Sequence, residues 1–213
     1  MNLLSEINRS IMEGGGDRVE ELTRQALDQG VEVKTILNEG LIAAMDVVGQ
    51  CFESGELFIP EMLIAAEAMT RGLNVLRPLF TESGIKPQGT VVIGTVKGDV
   101  HDIGKSLASM MMGGAGFKMI DLGVDVAPEQ FVKSVKEEGA QLVGMSALLT
   151  TTMPSMKATI EALEEAGLQN KVKTLIGGAP VTQEYADKIG ADGYAADAAG
   201  AVKKAKELVQ ARL

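Results

Sequence analysis

Tryptophan is absent from this 213-residue chain, and histidine and cysteine occur once each. Tyrosine is confined to Tyr185 and Tyr194, and phenylalanine occurs five times. Each scarcity excludes something. A lone cysteine, Cys51, cannot form an intrachain disulfide and suits a reducing compartment. One histidine and one cysteine cannot build the usual nitrogen/sulfur zinc shell. So few aromatic rings leave little to stack on a flavin. Basic residues are also in deficit, 20 Lys and Arg against 29 Asp and Glu, for a net charge of −9. That balance argues against nucleic-acid or anionic-membrane partners, whose phosphates need clustered Lys and Arg. No apolar run reaches the ~20 residues of a membrane span. The segment Met1-Asn2-Leu3-Leu4-Ser5-Glu6 lacks the basic-then-apolar order of a signal peptide. A soluble, cytoplasmic protein is expected.

What is present falls into two rhythms. From Asn2 to Phe80 apolar residues recur at helical spacing, predicting four helices over 2–13, 17–28, 32–53 and 60–80. Pro60 fits the first turn of the last. Short connections such as Gly14-Gly15-Gly16 and Ser54-Gly55 suit an all-α four-helix bundle. The polar, turn-rich stretch 81–89 then reads as a linker between domains 1–80 and 90–213. Beyond it strands are predicted near 90–96, 117–121, 141–146, 172–177 and 192–195. Helices are predicted near 103–114, 128–138, 153–166, 181–189 and 198–211. Alternating β and α of this length predicts a five-stranded, doubly wound parallel sheet of the flavodoxin-like type.

His101 stands where the first of those strands meets its helix, in Gly98-Asp99-Val100-His101-Asp102-Ile103-Gly104. Open α/β sheets bind ligands at that carboxyl edge. Asp99 can accept the Nδ1 proton and leave Nε2 for a metal. A single protein ligand suffices only for a metal that brings most of its own ligands, as in a tetrapyrrole-type macrocycle. Two more features meet the same edge. Ser146-Ala147-Leu148-Leu149-Thr150-Thr151-Thr152 leaves strand three with four hydroxyls and no charge, and Gly177-Gly178 leaves strand four without side chains. Together they describe a slot with hydroxyl donors, a glycine wall and one imidazole. A phosphate loop ending in Gly104-Lys105-Ser106 would need glycine where Asp99 stands. A phospho-receiver domain would need aspartate where Ser146 stands.

The three motifs, DxHxxG, SxL and GG in order, resemble the cobalamin-binding domain family that includes the module of methionine synthase. The stretch Val48-Gly49-Gln50-Cys51-Phe52-Glu53-Ser54-Gly55-Glu56-Leu57-Phe58-Ile59-Pro60-Glu61 resembles the helical cap of methyl-carrying corrinoid proteins. That resemblance implies a corrinoid methyl carrier with cobalamin as cofactor, in its methylcobalamin form when loaded. Cobalt(I) would accept a methyl group and pass it on as methylcobalt(III). The partners implied are a barrel-type substrate methyltransferase, an acceptor methyltransferase and a reductive activase. His101 would be the lower axial ligand and Asp99 would bind its other nitrogen. Thr152 would extend that relay to solvent, in a place where methionine synthase carries serine. Gly98, Val100, Asp102, Ile103 and Gly104 would complete the histidine loop against the cofactor. The displaced nucleotide tail would run along Ser146, Leu148, Thr150, Gly177 and Gly178 to Ala198. Phe52, Ile59 and Met62 would form an apolar lid over the methyl-bearing face, hinged at 81–89.

Other residues read more simply. Cys51 lacks an adjacent base or cation and reads as a small apolar residue. Met110-Met111-Met112 reads as helix packing, and Asp121 and Asp125 read as loop caps around Gly123. A cobalamin-dependent sensor and the small subunit of a mutase share parts of this pattern. The first usually adds a DNA-binding segment, and the second has no need of a lid over a methyl group.

Overall fold

The computed structural model describes residues 2–80, 83–84 and 86–211. Residues 81, 82 and 85 of the expected linker and hinge lie outside the described residues. The chain divides into two units, Met1–Lys86 and Pro87–Leu213.

The first unit is helical: α1 (Leu3–Met12), α2 (Gly16–Asp28), α3 (Val33–Thr35), a π-helical segment (Ile36–Ile42), α4 (Ala43–Glu53) and α5 (Ile59–Leu76). Its core joins Ile7 and Ile11 of α1, Val19 and Leu22 of α2, Leu41, and Met69 of α5, all inaccessible to solvent. Gly72 lets α5 lie close to its neighbours, because a Cβ there would meet Leu41 and Val19 side chains at 2.8 and 2.9 Å.

Two departures from simple periodicity have visible causes. The expected helix over 32–53 widens at Ile36–Ile42, where backbone bonds shift register and carbonyls lose their regular partners. Asn8 of α1 supplies the replacement: its Nδ2 donates to the carbonyls of Glu39, at 3.0 Å, and Gly40. The helix expected to reach residue 80 ends at Leu76 and tightens into a 3-10 turn, Arg77–Leu79. Pro78 has no N–H to continue the ladder. At the other end, Glu61 accepts the Phe58 N–H at 3.1 Å and Pro60 sits in the first turn.

The second unit alternates β1 (Thr90–Thr95), α6 (Ile103–Gly114), β2 (Lys118–Asp121), α7 (Pro128–Glu138), β3 (Leu142–Ser146), α8 (Pro154–Glu165), β4 (Lys173–Gly177), α9 (Gln183–Ile189), β5 (Gly193–Ala195) and α10 (Ala198–Gln210). All strands are parallel, in the order β2-β1-β3-β4-β5. This is the flavodoxin-like doubly wound sheet that the alternation predicted. Side chains alternate across it and build two cores. Val91, Ile93, Leu142 and Leu175 pack with Met112, Ala201 and Ala205, under α6 and α10. Val92, Val143 and Ile176 pack with Phe131, Met156 and Ile160, under α7 and α8.

The strand order reverses at β1, between β2 and β3. Connections after β1 and β3 leave the edge in opposite directions there, opening a crevice at the carboxyl ends. Thr95 lies opposite Ser146, Ser146 opposite Gly177, and Gly177 opposite Ala195. The loops that begin at these positions carry the candidate site.

Candidate functional site

At the carboxyl end of β1 the chain makes a turn at Gly98 (φ +86°) and buries Asp99 completely. The His101 ring, two residues on, is 46% exposed. This contrast organises the site. Asp99 Oδ1 accepts from His101 Nδ1 at 2.7 Å and from the His101 N–H at 3.1 Å. With Nδ1 directed at a carboxylate, Nε2 is the nitrogen left to face a ligand.

The second carboxylate oxygen reaches the loop after β3. Oδ2 accepts the Leu148 N–H at 2.8 Å, the Leu149 N–H at 3.2 Å and the Thr152 hydroxyl at 2.7 Å. The Thr152 hydroxyl also stands 2.8 Å from the Leu149 carbonyl, so its one proton lies between two acceptors. Burial pushes the Asp99 carboxyl up. Hydrogen bonds from Thr152, Leu148 and His101 push harder the other way and hold it well below the usual carboxylate range. An ionised, buried carboxylate therefore backs the imidazole.

Further contacts pin the loop. Thr95, fully buried at the end of β1, donates its hydroxyl to the His101 carbonyl at 2.8 Å. Ser155 donates to the Lys97 carbonyl at 3.0 Å. Lys105, 3% exposed on α6, places Nζ 2.6 Å from both Asp102 Oδ1 and Asp121 Oδ1. Burial pulls the ammonium down, and the two carboxylates outweigh it, leaving Lys105 above its usual range. Lys105 thus ties the histidine loop to the end of β2. Lys105→Met is expected to lower the stability of the apoprotein by about 1–3 kcal/mol, read from urea unfolding. Both carboxylates left behind are partly solvated, which keeps the cost below that of breaking a fully buried pair.

The remaining sequence candidates occupy definite places. Val100 and Ile103 are 68% and 80% exposed, and Leu148 and Leu149 are also exposed. Four large apolar side chains in the water beside an open imidazole form a surface suited to a broad apolar ligand. Asp102 and Gly104 are exposed on the same turn. Ser146 is half-buried, and Thr150 is exposed. Gly177 and Gly178 end β4, and Ala198 is the buried first residue of α10. A Cβ on Gly178 would sit 1.9 Å from the Ala147 carbonyl oxygen, so the two chain segments touch without side chains between them. In the helical unit Phe52 is half-buried near the end of α4, Ile59 is exposed at the start of α5, and Met62 is fully buried. Sequence reasoning missed Thr95 and the Leu148 and Leu149 amides. Backbone donors carry no residue-type signal, and Thr95 looks like any strand threonine.

Among the described residues no group of three or more His, Cys, Asp or Glu side chains could hold a metal ion. A metal at His101 would need to arrive with other ligands in place. The exposed apolar surround and the side-chain-free edge of β4 fit a macrocycle with a long substituent. Among the described residues no helix is long and apolar enough to cross a membrane.

Comparison with known proteins agrees with that chemistry. The B12 binding domain family matches residues 89–203, and a second B12 binding domain profile matches residues 3–77. Dimethylamine corrinoid protein 2 of Methanosarcina acetivorans is 47% identical over 210 residues, covering 97% of this chain and 96% of its own. A corrinoid protein of Desulfitobacterium hafniense is 42% identical over 212 residues, covering 98% of each. Among solved structures, the methanol:cobalamin methyltransferase complex MtaBC of Methanosarcina barkeri superposes with a TM-score of 0.86. That match is 32% identical and covers 98% of this chain and 80% of that one. A cobalamin-binding protein of Desulfitobacterium hafniense superposes with a TM-score of 0.80, at 31% identity over 97% of this chain and 98% of that one.

Proposed function

This chain belongs to the B12-binding domain family and takes cobalamin as its cofactor, and we propose that it is the methyl carrier of a methyltransferase system. The observation that carries the reading is the pairing of an exposed imidazole with a buried carboxylate at the carboxyl edge of the sheet. Bound cobalamin would supply the methyl-carrying chemistry.

The chain's own residues supply position and ligation. His101 would hold the cofactor's cobalt through Nε2, the ring nitrogen not bound to Asp99. Asp99 fixes the tautomer and orients the ring through Nδ1. Thr152 and the Leu148 and Leu149 amides hold Asp99 ionised, so the imidazole meets a constant negative neighbour. Val100, Ile103, Leu148 and Leu149 give an apolar bed for the macrocycle. Ser146, Thr150, Gly177, Gly178 and Ala198 line the course of the nucleotide tail.

Similarity to dimethylamine and trimethylamine corrinoid proteins at 46–48% identity supports a methylated amine as donor. The partner that loads the carrier is a barrel-type methyltransferase. A second methyltransferase and a reductive activase complete the set of partners in this reading.

His101→Ala tests the ligation. The variant is expected to retain cobalamin through the tail slot, to lose the histidine-dependent visible spectrum of the methylcobalamin form, and to change apoprotein stability by less than about 1.5 kcal/mol. A spectrum identical to wild type at full loading would remove His101 from the cobalt.

A further inference from the structure

A carboxylate from outside the histidine loop holds it and has no part in the ligation scheme. Asp125, in the loop between β2 and α7, has φ +53°, the one non-glycine among the described residues with a positive φ. Its carboxylate Oδ1 accepts the Gly98 N–H at 2.7 Å. Its own N–H donates to the Asp99 carbonyl at 2.9 Å. Asp125 therefore grips the two residues on either side of the Gly98–Asp99 peptide, from a strand connection that lies 26 residues further along the chain. We infer that Asp125 is a positioning residue for the axial ligand, holding His101 at its working angle through Gly98 and Asp99. This inference rests on the ligation reading of His101.

Three features set Asp125 apart from an ordinary loop cap. Gly98, the residue it holds, has the wide conformational choice of glycine, and its φ of +86° lies in a region open mainly to glycine. A charge-assisted hydrogen bond at that N–H removes the freedom where it would most disturb the next three residues. Asp125 itself is exposed and buries no apolar core, so its contacts serve the loop and not the packing. Finally, it occupies left-handed backbone, which aspartate and asparagine tolerate better than other side chains. The geometry needs both that backbone angle and an acceptor oxygen three bonds from Cα, which narrows the choice to these two residue types.

The remaining pins on the loop act elsewhere. Thr95 holds the His101 carbonyl, and Leu148, Leu149 and Thr152 hold the Asp99 carboxylate. The Asp99 N–H bonds the Val96 carbonyl at 3.1 Å and its carbonyl accepts from the Asp125 N–H, while the Asp125 carboxylate takes the Gly98 N–H before it. Without the Asp125 carboxylate the Gly98 N–H loses its acceptor, the chain can turn at Gly98 while the Asp99 carboxylate stays anchored, and the imidazole swings with it.

The test uses the full-length protein loaded with cobalamin and reduced to the cobalt(II) form. Axial nitrogen ligation is read there from nitrogen hyperfine splitting in the electron paramagnetic resonance spectrum. Asp125→Gly keeps the backbone angle and removes the acceptor; Asp125→Asn keeps both. Full cobalamin occupancy is expected in each. The ratio of histidine-ligated to unligated cobalt should fall about ten-fold in Asp125→Gly and stay within about two-fold of wild type in Asp125→Asn. An unchanged ratio in Asp125→Gly overturns the inference. So does an equal fall in both variants, since asparagine preserves the acceptor. Loss of the cofactor or failure to fold in Asp125→Gly overturns it too, by assigning the residue to the pocket or to the fold at large. A His101→Ala spectrum equal to wild type brings down the ligation reading and the inference together. A changed His101→Ala spectrum beside an unchanged Asp125→Gly spectrum brings down the inference alone.

Discussion

Gly178→Ala is expected to cost about 4 kcal/mol or more, enough to consume much of a typical domain's stability. The added Cβ would lie 1.9 Å from the Ala147 carbonyl oxygen, 3.0 Å from its carbon and 3.2 Å from its nitrogen. All three are backbone atoms, so no rotamer change relieves the overlap. The backbone angle adds to the cost, because φ +129° is nearly closed to residues with a side chain. Relief requires β4's exit to move away from β3's exit, and the Ala147 N–H to the Gly177 carbonyl is the bond that joins them. Urea unfolding of the apoprotein, followed by circular dichroism, gives the measurement. A midpoint equal to wild type would mean that these two exits do not touch. The same geometry shows that glycine at this position has a structural cause within the fold. Its retention does not by itself report on cofactor, and a bulky residue at 178 would unfold the edge before it blocked a tail.

Asp99→Ala is expected to cost about 3–5 kcal/mol in the apoprotein and to weaken axial ligation by about 10- to 100-fold in the loaded protein. The carboxylate gathers donors from His101 (N–H and Nδ1), Leu148, Leu149 and Thr152. Alanine leaves the amide donors without their acceptor, which is the expensive half of a broken hydrogen bond. Chemical denaturation measures the first effect and the visible spectrum of the cobalamin-loaded protein the second. The pH dependence carries a sign. The folded carboxyl lies below its unfolded value, so its contribution is complete above about pH 4 and is lost as acid titrates through the lower folded value. Wild-type stability should therefore fall more steeply below pH ~4 than that of Asp99→Ala. Parallel slopes would show that the carboxyl is not held ionised by the fold.

The legibility of the molecule divides along the range of the contacts. Val91, Val92 and Ile93, and Leu142 and Val143, are β-branched or apolar runs bounded by turn residues, and they became β1 and β3 within a residue of expectation. The order of strands followed from alternation alone, because parallel strands need helical crossovers and those crossovers admit few topologies. Asp99 and His101 stand two residues apart on one turn, so their approach is local and the spacing reveals it. The end of α5 was placed too late, because apolar spacing alone carries the helix to residue 80 and past Pro78.

Other features exist only once distant segments meet. The π-helical widening at Ile36–Ile42 depends on Asn8 arriving from α1 to take the displaced carbonyls. Asp121 and Asp125 read alike as caps of one loop. The fold gives one to Lys105 and the other to Gly98. Leu148 looks like a tail contact in the sequence and Leu149 has no assigned role there, and the structure gives both a role through amides that no residue type announces.

The sequence by itself therefore determined the two kinds of domain, the sheet and the residues that can ligate a metal. Side-chain shape, periodicity and short spacing are local properties that act before the chain closes. Only the tertiary structure decided that Asp99 is buried and ionised, and that Gly178 must be glycine. Both are consequences of β1, β3 and β4 ending together at one edge, where segments about 50 residues apart share hydrogen bonds in space that water has left.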